Sequence, residues 1–377
     1  MKIAYVHDVI YPYVKGGAEK RVWEIAKRLA AKGHEVHIFG MKYWEGEDVI
    51  EREGVHLHGV CESQDLYVDG KRSIKTSVLF SWKLLRSLGG DFDVVDAQEF
   101  PYFPCVSAKL FSILKRTPLF ITWHEVWGDY WDEYLGWMGV FGKGIERLTV
   151  RLPDKIIPVS ERVRRDLLSM GVRGERMVVV PNGVDLEKID SVEAGELTYD
   201  LVYVGRLSEH KRVDLLIEAV SLAREVMPDI RCGVIGDGPE MERLRRLVED
   251  LQIEENVVFL GFLETDEDLI AAMKSSRIFV LPSMREGFGI SALEANACGL
   301  PVVTVRSEMN AASDLVEEGL NGLVVDPTPE DMAEAVLKLL KDDMYNRLSE
   351  PSRRVAEKYD WSVVTDAIER AYEELAS

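Results

Sequence analysis

Residues 282–290, Pro-Ser-Met-Arg-Glu-Gly-Phe-Gly-Ile, set a carboxylate and two glycines where a β-rich run gives way to a helical pattern. Backbone N–H groups over Gly287, Phe288, Gly289 and Ile290 can converge there on an anion, because the first turn of a helix leaves its donors unpaired at the positive end of the dipole. Glycine suits the task, since a side chain would hold the backbone away from a ligand. Glu286 and Glu294 stand eight apart, close to two helical turns, so both can face one cavity. A carboxylate answering the helix dipole and another merely solvated would leave the same spacing.

A second constellation is cationic. Gly205-Arg206 closes a strand-like run and Lys211 opens the next helical one. A guanidinium grips oxygens in a bidentate fork and an ammonium supplies a mobile charge, which together suit a diphosphate, although such residues are also ordinary surface charges. Gly16-Gly17 follows the first strand-like run, where N–H groups could meet a phosphate, but it does not complete the fingerprint G-x-G-x-x-G. Gly236-Asp237-Gly238-Pro239-Glu240 has the same placement and reads as a tight turn with helix-start signals. His124 ends another run, in Trp123-His124-Glu125, a position open to ligand chemistry and to a structural role alike.

Such residues need a frame that gathers strand ends. Strand-like and helix-like runs alternate from end to end, the pattern of a parallel sheet covered by helices. Lys2–His7, the Gly16-Gly17 break, the helical spacing of Ala18, Val22, Ile25, Ala26 and Leu29, and Glu35–Gly40 make one β-loop-α-β unit. Further strands are predicted at 55–60, 93–98, 118–124, 155–160 and 177–181. After the turn signal Pro181-Asn182-Gly183 and a polar stretch over 185–198, a second set begins, at 199–205, 230–236, 257–261, 277–282, 301–305 and 322–325. The expected domains are therefore 1–185 and 186–359, with 360–377 a closing helix able to pack on either. Ligands of open α/β sheets bind at the carboxyl ends of the strands, so two such sheets facing one another would share one cleft.

Composition narrows the classes. At 377 residues, 46% hydrophobic and 30% charged, with no run of 18 apolar residues and no basic-then-apolar leader at Met1, the chain is expected to be folded, soluble and cytoplasmic. Cys61, Cys105, Cys232 and Cys298 are too dispersed for a zinc site or a disulfide framework. A formal charge of −20 argues against nucleic acid as a partner, so a polyanionic ligand must meet a local cluster of cations. Trp123, Trp127, Trp131 and Trp137, with Tyr130, Tyr134, Met138, Val140 and Phe141, read either as a buried helix and its approach or as a surface that receives a sugar or lipid acceptor.

The series of motifs resembles, over essentially the whole chain, a family 4 glycosyltransferase of GT-B fold. Glu286 to Glu294 matches that family's E-x7-E motif with Glu-Gly-Phe-Gly intact. Around it, in order, stand Gly16-Gly17, Pro181-Asn182-Gly183-Val184-Asp185, Gly205-Arg206 with Lys211, Gly236-Asp237-Gly238-Pro239, Gly261-Phe262 and Asn321-Gly322. The resemblance implies two Rossmann-like α/β domains, with the last helix crossing back onto the first. It implies that Arg206 and Lys211 bind the donor diphosphate, that Glu294 takes the ribose hydroxyls, and that Glu286 with the amides of Gly287, Phe288, Gly289 and Ile290 holds the hexose and its phosphate. It further implies that Gly261 to Leu263 lies along the base, that Gly16-Gly17 lines the opposite wall, and that His124 approaches the reacting carbon. The chain departs from the family pattern at Arg306–Ala312, where relatives carry a Gly-rich turn, and at Glu125, where they carry Asp or a small residue.

The activity so implied is a retaining, metal-independent hexosyl transfer from a UDP- or GDP-linked sugar to a hydroxyl of a glycan, a lipid-linked or a small-molecule acceptor. No cofactor beyond the donor is expected. No Asp-x-Asp follows a strand to hold Mg²⁺, and fixed cations can stabilise a departing diphosphate instead. The aromatic segment favours a lipid-linked acceptor with peripheral contact at the inner membrane face, which the −20 charge opposes mildly. Two alternatives remain at this stage, a nucleotide-sugar epimerase on the same fold and a two-domain protein that closes on a nucleotide sugar without reacting.

Overall fold

The computed structural model describes residues 1–68, 71–196 and 199–376, so the end of the polar stretch 185–198 and the last residue of segment 360–377 lie outside it. The chain divides into two compact units, Met1–Asn182 with Trp361–Ser377, and Gly183–Asp360. The division falls a few residues before the one expected at 185. Val184 N donates to Tyr359 O at 2.9 Å, and Asp185 caps the helix Leu186–Ser191 by accepting from Lys188 N at 2.9 Å, so residues 183–185 are held by the second unit.

The first unit is a seven-stranded sheet in the order β3-β4-β2-β1-β7-β8-β9. Its strands are β1 (Lys2–Val6), β2 (Glu35–Lys42), β3 (Val49–Arg52), β4 (Val55–Glu62), β7 (Val94–Gln98), β8 (Leu119–Trp123) and β9 (Lys155–Pro158), while β5 (Tyr67–Val68) and β6 (Lys71–Arg72) form a separate antiparallel pair. All neighbours in the large sheet run parallel except β3 with β4. Taken in chain order, the six parallel strands lie 3-2-1-4-5-6, the doubly wound arrangement with a crevice where the order reverses, between β1 and β7.

The second unit repeats the arrangement. Its sheet, in the order β12-β11-β10-β13-β14-β15, consists of β10 (Tyr199–Val204), β11 (Cys232–Ile235), β12 (Val257–Gly261), β13 (Ser276–Leu281), β14 (Val302–Val305) and β15 (Gly322–Val325), all parallel. Here the order reverses between β10 and β13. Central strands such as β7 and β8 are buried along their whole length, as expected of a parallel sheet covered on both faces.

The closing helix Trp361–Ala376 belongs to the first unit. Trp361, Val364, Ile368 and Tyr372 enter the same core as Val22, Trp23 and Ile25 of the helix Gly17–Ala31. Tyr372 OH donates to the buried Asp96 of β7, which also accepts from Thr122 Oγ1 at 3.0 Å. Arg21, 1% exposed, donates Nη2 to Val180 O at 3.0 Å and Nη1 to Asn182 Oδ1 at 3.2 Å, fixing the last segment of the unit before the chain leaves it.

Two local expectations change. Residues 177–181 are not a strand: Val178 N and Val180 N donate to β9 carbonyls at 3.1 and 3.2 Å, but Pro158 and Pro181 have no N–H with which to complete a ladder. Conversely β3, absent from the sequence reading, pairs with β4 through a hairpin in which Glu53 (φ 50°) and Gly54 (φ 78°) both adopt positive φ. Among the described residues no helix is long and apolar enough to cross a membrane, and the four cysteines are unpaired.

Candidate functional site

In the second unit the loops after β10 and β13, the two strands flanking the reversal point, bring the charged residues together. Lys211 Nζ donates to Glu286 Oε1 at 2.6 Å, with both side chains largely buried. The first loop is tied down by glycines. Gly236, at φ 134°, and Gly238 lie so close to the carbonyls of Gly205 and Leu207 that a Cβ at either would collide with backbone. Gly205 N donates to Ile235 O at 3.0 Å and Leu207 N to Asp237 O at 2.9 Å. The turn 236–240, read from sequence as structural, thus braces the loop that carries Arg206 and Lys211, and Arg206 itself is exposed.

The second loop carries Glu286, and its brace is the segment that departs from the family pattern. Glu286 N donates to Met309 O at 2.8 Å and Ala311 N donates to Glu286 O at 2.9 Å, a short parallel bridge with Asn310. Asn310 is 2% exposed; its Nδ2 donates to Val305 O at 2.8 Å and Thr304 Oγ1 at 3.1 Å, and its Oδ1 accepts from Ala312 N at 3.1 Å. Asn310 thus holds this loop through a hydrogen-bonded side chain. Gly289, at φ 94°, precedes the helix Ile290–Ala297, and a Cβ there would lie 2.5 Å from the Ala312 Cβ, so only glycine fits. That helix has no side-chain N-cap, which leaves its amide end available to a ligand anion. Phe288 is buried edge-on against Tyr359, with ring centroids 5.9 Å apart.

His210 and Arg285 complete the cluster. His210 O accepts from Met284 N at 3.0 Å, joining the two loops. Burial, reinforced by the charges of Lys211 and Arg285, pulls the His210 pKa down to about 4, so the imidazole is neutral at pH 7. The charges of Lys211, Arg285 and Arg206 and the one carboxylate of Glu286 thus all act on His210, a local excess of cations in a chain of net charge −20.

In the first unit the corresponding strand ends gather a different chemistry. Gly16 caps the helix Gly17–Ala31 with extended backbone and no side-chain bond, and a Cβ there would strike the Glu19 carboxylate. His124 Nε2 donates to Gln98 Oε1 at 2.8 Å, while its backbone N donates to Glu99 Oε1 at 2.9 Å. Burial, then the charges of Arg21 and His7, hold its pKa well below the usual imidazole value. Burial raises Glu99 to about 8 and Glu19 to about 7, and Asp8 also lies above its ordinary value. Among the described residues, buried His7 Nδ1, Asp8 Oδ1 and Glu99 Oε2 have no hydrogen-bond partner, so a buried polar cluster lies at the ends of β1 and β7.

Arg206, Lys211, Glu286, Gly287, Phe288, Gly289 and Ile290 therefore lie on two joined loops, with Glu294 farther along the helix that follows them. Leu263 follows β12, at the sheet edge two strands from β10, and is separate from the ion pair. Gly16, Gly17 and His124 belong to the first unit. Sequence reasoning missed His210, Arg285, Asn310, Asp8 and Glu99. Adjacency to Lys211 and Glu286 could have drawn attention to the first two, and a carboxylate just past a predicted strand to Glu99; the signal for Asn310 was its place in the divergent segment Arg306–Ala312.

A family model described as Glycosyltransferase Family 4 matches residues 15–188, and one described as Glycosyl transferases group 1 matches residues 186–355. A phosphatidyl-myo-inositol mannosyltransferase of Mycobacterium leprae is 29% identical over 98% of this chain and 96% of its own length. An uncharacterized glycosyltransferase of Methanocaldococcus jannaschii is 27% identical over 98% and 97%. Among solved structures, sucrose-phosphate synthase from Thermosynechococcus elongatus superimposes with a TM-score of 0.81 at 19% identity, covering 99% of this chain and 98% of that one. Anabaena HepE in complex with UDP-glucose does so at 0.76 and 20%, covering 99% and 100%. With two doubly wound sheets and two adjoining family matches, the chain belongs to the group 1, family 4 glycosyltransferases and has their GT-B fold.

Proposed function

We propose that the protein moves a hexose from a UDP- or GDP-linked sugar to an acceptor hydroxyl with retention at the anomeric carbon and without a metal. The Lys211–Glu286 pair beside the uncapped helix Ile290–Ala297 carries this reading, because it sets a cation, a carboxylate and backbone donors at the reversal point of one sheet. HepE, of the same fold, is known in complex with UDP-glucose, which supports a nucleotide-sugar donor.

In this reading Arg206 and Lys211 take the diphosphate, Glu294 the ribose and Glu286 the sugar hydroxyls, with Leu263 along the base and His124 and Gly16-Gly17 on the acceptor side. The C1–O bond to the β-phosphate breaks as the acceptor oxygen bonds to C1 from the same face. The acceptor proton passes to the departing phosphate oxygen, whose developing charge the cations stabilise. His124, neutral through burial, orients the sugar and takes no proton. The acceptor is lipid-linked, with peripheral membrane contact on the cytoplasmic side.

The test is a product assay in EDTA, with UDP- and GDP-hexoses and a lipid extract, following the anomeric proton by NMR. An α-linked product from an α-linked donor supports the reading. A β-linked product, or an altered free sugar nucleotide without transfer, overturns it.

A further inference from the structure

The first unit holds a cavity of about 440 Å³ apart from the strand ends described above. Phe100, Tyr102, Trp131, Leu135, Phe141 and Ile145 contribute its apolar walls, and Arg72 is the one charged residue among the described residues that line it. Arg72 forms an ion pair with Asp8, which is fully buried just past β1, and Arg72 N donates to the hydroxyl of Tyr134, another wall residue, at 2.7 Å. The cavity is thus apolar along its length and polar where it approaches the ligand-binding edge of the sheet.

A glycine borders it. The helix Gly139–Thr149 places Gly144 on the cavity, where a Cβ would meet nothing within 4 Å. Glycine inside a helix costs about 1 kcal/mol relative to alanine. Gly144 is exposed and a Cβ there would meet no atom, so a larger side chain at this position has room to enter the cavity.

The surroundings indicate what fills it. Ile74, Val140, Phe141 and Leu148 line the cavity and are 47–68% exposed, so its mouth is apolar. Nearby, the helices Ile74–Ser87 and Phe103–Lys115 expose Val78, Trp82, Leu85, Leu110, Ile113 and Leu114. Their charged residues are Lys75, Lys83, Arg86, Lys109 and Lys115, with no acid, in a chain of net charge −20. Lys109 and Lys115 pair with Asp154 and Asp91 from outside the helices, whereas Lys75, Lys83 and Arg86 stand beside the exposed apolar side chains, the composition of a surface for anionic lipid. We infer that this cavity receives the hydrocarbon chain of a membrane-borne acceptor, with an anionic head group held at Arg72.

The inference rests on the transfer reaction proposed above. Its test is calorimetric titration with dodecyl phosphate below its micellar concentration, on wild type, Gly144→Leu and Arg72→Gln. Wild type should bind saturably and G144L at least tenfold more weakly, although G144L melts no lower than wild type without ligand. R72Q should weaken dodecyl phosphate at least tenfold but dodecanol less than threefold. Equal binding by wild type and G144L, no saturable binding, or a wild-type dimer that G144L dissociates would overturn it, the last by assigning the cavity to a second copy of the chain. Stabilisation by UDP or GDP is measured in parallel. Nucleotide binding without amphiphile binding would reject the cavity alone, and the reverse would reject the donor reading alone.

Discussion

Lys211 and Glu286, 75 residues apart in the chain, meet at 2.6 Å where the loops after β10 and β13 converge. The contact neutralises a cation that a diphosphate would otherwise find free, and it aims the carboxylate at the same space. In the proposed reaction the pair would exchange partners as the donor binds, the ammonium passing to phosphate and the carboxylate to sugar hydroxyls.

Replacing Lys211 by alanine should therefore lower kcat by about 10²–10³-fold, the scale of a lost transition-state donor, or about 2.7–4 kcal/mol. Initial-rate kinetics at saturating donor check this. Loss confined to KM would assign Lys211 to ground-state binding instead.

Gly289→Ala should destabilise the protein by more than about 1 kcal/mol, because alanine is strained at φ 94° and its Cβ would lie 2.5 Å from that of Ala312. Adding Ala312→Gly removes the collision but not the strain, so denaturant melts should show partial recovery in the double variant. Full recovery would mean that the backbone angle carries no cost.

Asn310→Ala should cost about 1–3 kcal/mol, since Thr304 Oγ1, Val305 O and Ala312 N would all lose a buried partner. Because Asn310 braces Glu286, kcat/KM should fall as well, at a temperature where the variant is fully folded. Stability loss with unchanged kinetics would separate the brace from the site.

Glu99 gives the protein a pH dependence of definite sign. Burial raises its pKa from the ordinary 4.5 to about 8, so between these values the folded state holds a proton that the unfolded state has released. This contribution is complete below about 4.5 and is lost as pH rises through about 8. Glu99→Gln, which keeps an oxygen for His124 N, should lose less melting temperature between pH 6 and 9 than wild type does, by calorimetry. Parallel curves would contradict the assignment.

The frame was largely legible because helices and buried parallel strands leave periodic, local traces: Leu119–Trp123 and Cys232–Ile235 are mostly apolar runs between turn signals. β3 was not, because Val49-Ile50-Glu51-Arg52 is a short, mostly exposed edge whose pairing depends on the Glu53-Gly54 turn. The loops carrying Lys211 and Glu286 could be named from residue types and family likeness, whereas their bracing could not. Asn310 acts through bonds to Thr304, Val305 and Ala312 that only the folded loop creates, and Asp8 meets Arg72 from 64 residues away. The aromatic run from Trp123 to Phe141 was legible as a buried helix or an acceptor surface, but the cavity that Trp131, Tyr134 and Phe141 line also needs Arg72 and Phe100 from distant segments. Gly144 in a helical stretch reads as a weak helix former until its neighbours are seen to leave space in front of it.

A nucleotide-sugar site at the reversal point of the second sheet can be detected by thermal shift of the purified protein with UDP, GDP, ADP and their hexose conjugates in EDTA, repeated for Arg206→Ala and Glu294→Ala. Stabilisation grows with the logarithm of ligand concentration over its dissociation constant. Selective stabilisation by one nucleotide, lost in both variants, is the predicted result. No stabilisation by any nucleotide, or stabilisation that both variants retain in full, would contradict the site.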